Sequence, residues 1–411
     1  MKISEILNKY LNNGNKALKE SVDGGRIPIA YLCSFVPPEI IQAAGGVAFR
    51  LMRRSNGKGQ IRRSRYIRED SCVFCRECLS NYPFDFLPVP KILVAASPCD
   101  QMRRVLELFN REHGVHVFQM HVPRTGGTES NIEFYRKELS RLGETVAEIT
   151  GKGDWINQIR REITRRNRII QVLKENLLQT RCMARHPKLS NETFDSTLGE
   201  TSEGILGETF DSTSLRGPEI ALLALLSWEL PPDSLEELVT ELENELSGVF
   251  PVSQENKRPR ILLTGSMFSR EDVRIFRHIE DYGADIVADI FCNGIDRLNR
   301  EDFDGTADPL EYLARNLLSN STCPSMRPNN SLYESIQKQI EENAIDAIIH
   351  ISLKYCHPWG FEKVRIKETF GLPFLSIDND SSPSYEAQWQ TRISAFLESL
   401  TFSRQGRASI G

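Results

Sequence analysis

Nine cysteines punctuate this 411-residue chain, and three of them close hydrophobic runs that read as strands: Cys99 ends KILVAASPC, Cys292 ends DIVADIFC and Cys356 ends DAIIHISLKYC. Ligands of open α/β sheets gather beyond the carboxyl ends of the strands, so thiols repeated at that boundary point to one shared site. A CxxCxxC run, Cys72, Cys75 and Cys78, adds three more candidate ligands. Thiolates select zinc, copper(I) or iron–sulfur clusters. A cluster is held by cysteine thiolates, and strand ends with short loops can present them rigidly. Cys72 and Cys75 alone have the spacing of half a structural zinc site. A zinc ribbon would want a second close pair, and the remaining cysteines are scattered singly. The pattern favours a cluster and keeps zinc as its rival.

The residues beside the cysteines refine this. Cys33 and Ser34 place a thiol and a hydroxyl just before a predicted helix start, where backbone N–H groups favour an anion or thiolate. His357 follows Cys356 directly; it is either a proton donor or a turn histidine bonded to backbone. Cys323 lies in the polar loop NSTCPSMRPNNS with Arg327, where a surface thiol is the plain reading. Thr264-Gly265-Ser266 follows a strand and could cradle a phosphate, yet it lacks both GxGxxG and a P-loop ending. His121, Pro123 and Arg124 close another strand; Arg124 either meets an anion or pairs with a carboxylate. Cys182 sits in a basic helical stretch and reads as structural. GxSxG, HExxH and the kinase motif set do not occur.

Those residues must be positioned by strands and helices in alternation. The segment RIPIAYLCSFVPPEIIQAAGGVAFRL reads as strand, turn, helix with Glu39 in its first turn, and strand; KILVAAS and VHVFQMHV flank a helix. That βαβ rhythm predicts an α/β fold with a parallel sheet covered by helices. From Ser130 to about Leu178 the pattern is helical and charged. ETFDST then occurs twice between residues 190 and 215 in an exposed loop or insertion, and helices resume with Asp233 as N-cap of the last. RPRILLTGS opens a second α/β unit. The expected organisation is an amino-terminal α/β lobe with a leading helix over 1–150, a helical connector over 151–255 and a carboxy-terminal α/β lobe over 256–411. The cysteines belong to both lobes, so a cofactor they hold would lie between them. The net charge of −5 argues against nucleic acid as the main partner. No apolar run approaches the roughly 20 residues that span a bilayer, and the first helix has no signal-peptide core. The expected location is cytoplasmic, where thiols stay reduced.

YLCSFVPPEIIQAAGG, SPCDQMRRVLELF, HVPR, RILLTGS, VADIFCNG, SLKYCHPWGFE and SIDNDSSPSYEAQWQTRISAFLE resemble, in order and interval, the 2-hydroxyacyl-CoA dehydratase and benzoyl-CoA reductase family over nearly the whole chain. The resemblance implies two flavodoxin-like or Rossmann-like lobes around a [4Fe-4S] cluster in an enzyme of anaerobic metabolism. It implies Cys72, Cys99 and Cys356 as ligands, with Cys75 or Cys78 able to replace Cys72, and Ser34 beside an open iron. The partners it implies are a homologous subunit or a second copy, an ATP-hydrolysing iron–sulfur activator and an acyl-CoA whose thioester receives one low-potential electron to form a ketyl radical. A double-cubane [8Fe-9S] branch, homodimeric reductases of small molecules, is similar in another respect: Cys33, Cys292 and Cys323 would suit the second cubane. A non-catalytic electron-transfer subunit is a further alternative. Ala387 stands where the family commonly has glycine, which implies a different carboxy-terminal turn.

Overall fold

The computed structural model describes residues 3–53, 64–82, 87–183, 215–246, 258–319, 321–380 and 385–408. The ETFDST repeat lies outside them. The chain forms α1 (Ile3–Asp23), β1 (Ile27–Leu32), α2 (Pro38–Ala43), β2 (Gly46–Arg50), α3 (Val73–Asn81), β3 (Ile92–Ala96), α4 (Asp100–His113), β4 (Val117–Met120), α5 (Glu129–Thr150), α6 (Trp155–Met183), α7 (Gly217–Glu229) and α8 (Pro232–Leu246). There follow β5 (Arg260–Gly265), α9 (Val273–Asp281), β6 (Asp285–Phe291), a 3-10 turn (Asp296–Leu298), α10 (Pro309–Ser319), α11 (Asn330–Glu342), β7 (Ala347–Leu353), α12 (His357–Phe370), β8 (Phe374–Asn379) and α13 (Glu386–Ala408).

Two four-stranded sheets result, ordered β2-β1-β3-β4 and β6-β5-β7-β8, and every pairing is parallel. Parallel strands are covered on both faces and so read as unbroken apolar runs; β3 and β7 are buried at every residue. Along β1 the two faces alternate: Ile29 and Tyr31 join the core under α2 and α5, whereas Ala30 and Leu32 join the core under α3 and α4. In both sheets the winding reverses between the first and third strands of the unit, a switch point of the flavodoxin-like kind. The crevices therefore open at the carboxyl ends of β1 and β3, and of β5 and β7.

Gly265 fits the second switch point for a steric reason. Its φ is +150°, and a Cβ there would lie 1.8 Å from the Ile351 carbonyl oxygen. The neighbouring hydroxyls are already engaged: Thr264 bonds His350 Nδ1 at 3.0 Å, and Ser266 Oγ accepts the Leu353 N–H at 2.7 Å. Thr264-Gly265-Ser266 thus knits β5 to β7, in place of the phosphate cradle considered above.

The helices tie the two sheets together. α7 is buried almost all round, from Gly217 to Trp228, as an interior helix must be, and it touches both edge strands β2 and β6. α1 packs on α7 and α8, and its Ile6, Leu7 and Leu11 share a core with β5 and β7. α10, late in the chain, packs on α5 and buries Leu310, Leu313 and Leu317 in the core of the first sheet. Burying each such leucine stabilises by about 1.5–3 kcal/mol. Each sheet's cover therefore borrows from the other half of the chain. Asp233 is not the cap of α8; the helix begins at Pro232, and the carboxylate pairs with Arg165 at 2.6 Å. Ala387 lies in the first turn of α13, where alanine suits the helix.

Candidate metal centre

Four cysteines sit just beyond strand ends. Cys33 follows β1 and Cys292 follows β6; Cys99 and Cys356 stand after β3 and β7 as the residues preceding α4 and α12. Cys72 holds the same position before α3, and Cys323 lies in the loop that α10 carries toward the first sheet. Electrostatic neighbours run Cys33, Cys323, Cys292, Cys356, Cys72, Cys99 and back to Cys33. Cys33 also faces Cys292, and Cys99 faces Cys323, so the two sheets gather six thiols into one ring-like group. Cys75 faces Cys72 and Cys99 of the ring, and Cys78, buried against Glu77 and Arg53, faces Cys72. Cys323 is half-buried within this group, not a surface thiol.

The ring opposes ionisation of most of its members. Burial pushes the thiols of Cys33 and Cys99 up and that of Cys292 to about 12. Hydrogen bonding to Cys72, then burial, raises Cys356. Cys72 goes the other way, because the Cys356 and Cys75 thiols both lie in hydrogen-bond reach of it and favour its thiolate. The three thiols before helices also face first-turn N–H groups, of Phe74 and Cys75, of Met102 and of Trp359, without forming a side-chain cap bond. Among the described residues no three His, Cys, Asp or Glu side chains converge on a single-ion site. A cluster takes separate thiolates at separate irons, and six soft donors drawn from both sheets are of the type it binds.

The backbone is unusual at the same places. Among the described residues, three non-glycine residues have positive φ: Ala344, Cys33 at 77° and Tyr355 at 64°, the last immediately before Cys356. Such conformations cost about 1–3 kcal/mol each and persist where the surroundings impose them.

Ser34 is buried beside Cys33; its hydroxyl donates to the Cys292 carbonyl oxygen and accepts from Arg50 Nη2 at 3.0 Å. It therefore links the loops after β1 and β6. His357 is exposed at the first position of α12. α2, after Cys33, has only six residues and begins with proline, so its dipole contributes little. Arg124 pairs with Asp100 at 3.0 Å on the surface, as the carboxylate reading expects. Cys182 lies in α6, and its side chain is outside the described residues. Two residues beside the ring were not singled out from sequence. Trp359, a buried indole, donates Nε1–H to Cys292 Sγ at 3.1 Å; its place three residues after Cys356 was the available signal. Arg50 offered none beyond ending a strand.

A surface cavity of about 830 Å³ opens elsewhere, between Tyr82, Lys91, His113, His116 and Glu148. It lies at the amino ends of β3 and β4, opposite the thiols. No helix among the described residues is long and apolar enough to cross a membrane.

The model of the family described as 2-hydroxyglutaryl-CoA dehydratase, D-component, matches residues 33–400. The chain is similar to YjiM of Escherichia coli (strain K12), whose name describes it as a dehydratase subunit, at 25% identity over 379 residues covering 90% of each chain. It is also similar to one of the subunits of benzoyl-CoA reductase from Thauera aromatica, at 21% identity over 392 residues covering 93% of this chain and 92% of the relative.

Proposed function

The chain belongs to the 2-hydroxyglutaryl-CoA dehydratase D-component family, and on that premise we propose that it is the iron–sulfur subunit of a dehydratase or reductase acting on an acyl-CoA thioester, fed by an ATP-dependent activator. The observation that carries this reading is the thiol ring drawn from both sheets. Cys72, Cys99 and Cys356 are the primary ligands in this reading, and a cluster bound there supplies one-electron transfer at low potential. The chain's own groups orient it and keep water out. Trp359 donates to Cys292, and Ser34 holds the loops after β1 and β6 in register. His357, exposed beside Cys356, is the proton carrier in this assignment.

A second reading is favoured by the size of the ring. Three thiols suffice for a single cubane with an open iron, whereas Cys33, Cys292 and Cys323 complete a set of six that suits a double cubane in a homodimeric reductase of small molecules.

Iron and acid-labile sulfide per chain, measured on protein purified without oxygen and joined to EPR of the reduced form, test both. About four irons support the single-cubane subunit and about eight the double cubane. Zinc without iron overturns the proposal. Cys99→Ser and Cys356→Ser should each lose the cluster; full iron in both would reject the ligand assignment.

A further inference from the structure

Arg50 carries a charge that the fold leaves unbalanced. It ends β2 and is 2% exposed. Its guanidinium lies over the Trp228 ring at 4.5 Å, and Nη2 donates to Ser34 Oγ at 3.0 Å. Nε and Nη1 are buried without a hydrogen-bond partner. Among buried arginines nearby, Arg53 is paired with Asp272 and Glu77, whereas Arg166, which bonds the Ser227 carbonyl oxygen and faces Glu39, also keeps Nε and Nη2 without a hydrogen-bond partner. The acidic groups that face Arg50 are Tyr31, Cys33 and Cys292, and a second cation, Arg297, faces the same two thiols. The Tyr31 phenol is held neutral by burial, at about 12. A buried cation is costly unless paired, and the groups left to pair with it are two thiols of the ring. Through Ser34, the same guanidinium reaches the loops that carry both of them.

We propose that Arg50 is a counter-charge of the metal centre, placed on its Cys33 and Cys292 side and favouring the electron that reduces the centre. The inference rests on the iron–sulfur reading above. Reduction adds one negative charge to the centre, so a fixed cation beside it raises the potential. A structural role, as a cation–π prop for Trp228, would also sense the charge, but it would act on folding stability and leave the midpoint potential of an iron-replete variant unchanged.

The test compares wild type with Arg50→Lys, Arg50→Gln and Arg50→Met, all purified without oxygen. Iron and sulfide are measured first, and midpoint potentials follow from EPR of samples poised with low-potential mediators. The expected result is that Arg50→Gln and Arg50→Met keep iron but are reduced about tenfold less favourably, which is 59 mV for a one-electron couple, while Arg50→Lys stays near wild type. Loss of iron in both neutral variants with retention in Arg50→Lys would support the proposal if the metal-free variants unfold in urea at the wild-type midpoint, and would overturn it if that midpoint falls, since the charge would then serve the Trp228 contact. Iron-replete neutral variants with an unchanged potential would overturn it. So would an Arg50→Lys variant that shifts, or loses iron, as much as the neutral ones. Iron-free wild type would instead overturn the iron–sulfur reading, an outcome visible before any variant is compared.

Discussion

Replacing Asp272 by asparagine should weaken the junction between the two sheets by an amount that the structure bounds. Asp272, before α9, forms a buried ion pair with Arg53, which leaves β2, and Arg53 also lies 3.3 Å from Glu77 on α3. The Asp272 carboxylate accepts the Ser269 N–H at 2.7 Å, the Ser269 hydroxyl at 2.9 Å and Asn379 Nδ2 at 2.6 Å. The three charged residues are each no more than 5% exposed. Burial alone would raise the pKa of Asp272 and lower that of Arg53, but their pairing reverses both shifts. Asp272→Asn keeps the shape, removes the charge and turns an NH2 group toward donors. Breaking a buried pair in this way costs about 3–5 kcal/mol, a large part of the roughly 5–15 kcal/mol that holds a typical domain. Urea unfolding of the metal-free protein at pH 7 measures it. The folded-state pKa of Asp272 lies below its unfolded value of about 3.9, so its contribution is complete above that pH and fades as pH falls through the folded value. The gap between wild type and variant should therefore close only in acid. A loss under about 1 kcal/mol at pH 7, or a gap unaffected by acid, would refute the reasoning.

Two further outcomes concern the second sheet. His350 is buried against Trp359 and Phe374, and burial pulls its pKa to about 3. Below about pH 6.5 the unfolded chain binds a proton that the folded one refuses, so His350 removes up to about 1.4 kcal/mol of stability per pH unit as acid is added. Burial moves Glu280 oppositely, up to about 7, so between its unfolded value and that pH its contribution grows as acid is added. His350→Gln should therefore be more acid-tolerant than wild type in urea melts across pH 7 to 5, and matching slopes would contradict this. Gly265→Ala should destabilise by about 3 kcal/mol or more, since its Cβ would meet the Ile351 carbonyl oxygen and its φ is left-handed; a thermal scan showing an unchanged midpoint would contradict it.

The thiol positions at strand ends were legible because a parallel strand buried on both faces is an aliphatic run, and its end is where the run stops. Cys99, Cys292 and Cys356 each mark such an end. Local pattern failed where geometry depended on a distant neighbour. The Thr264-Gly265-Ser266 turn resembles a ligand cradle until β7 is placed beside it, when its hydroxyls prove committed to His350 and Leu353. Asp233 resembles a cap until Arg165 on α6 is seen to claim its carboxylate.

By itself the sequence determined the α/β class, the alternation of elements and the presence of thiols at strand ends, since periodicity and residue type are properties of short segments. Sheet order, the packing of α10 on the first sheet and the gathering of six thiols into one group were decided only by tertiary structure. Hydrophobic burial is non-directional, so an apolar stripe such as that of α10 announces that it will be covered without naming what covers it. Arg50 is the plainest case: an arginine at the end of a strand is unremarkable in the chain, and only its burial beside Cys33 and Cys292, without a carboxylate, gives its charge a consequence.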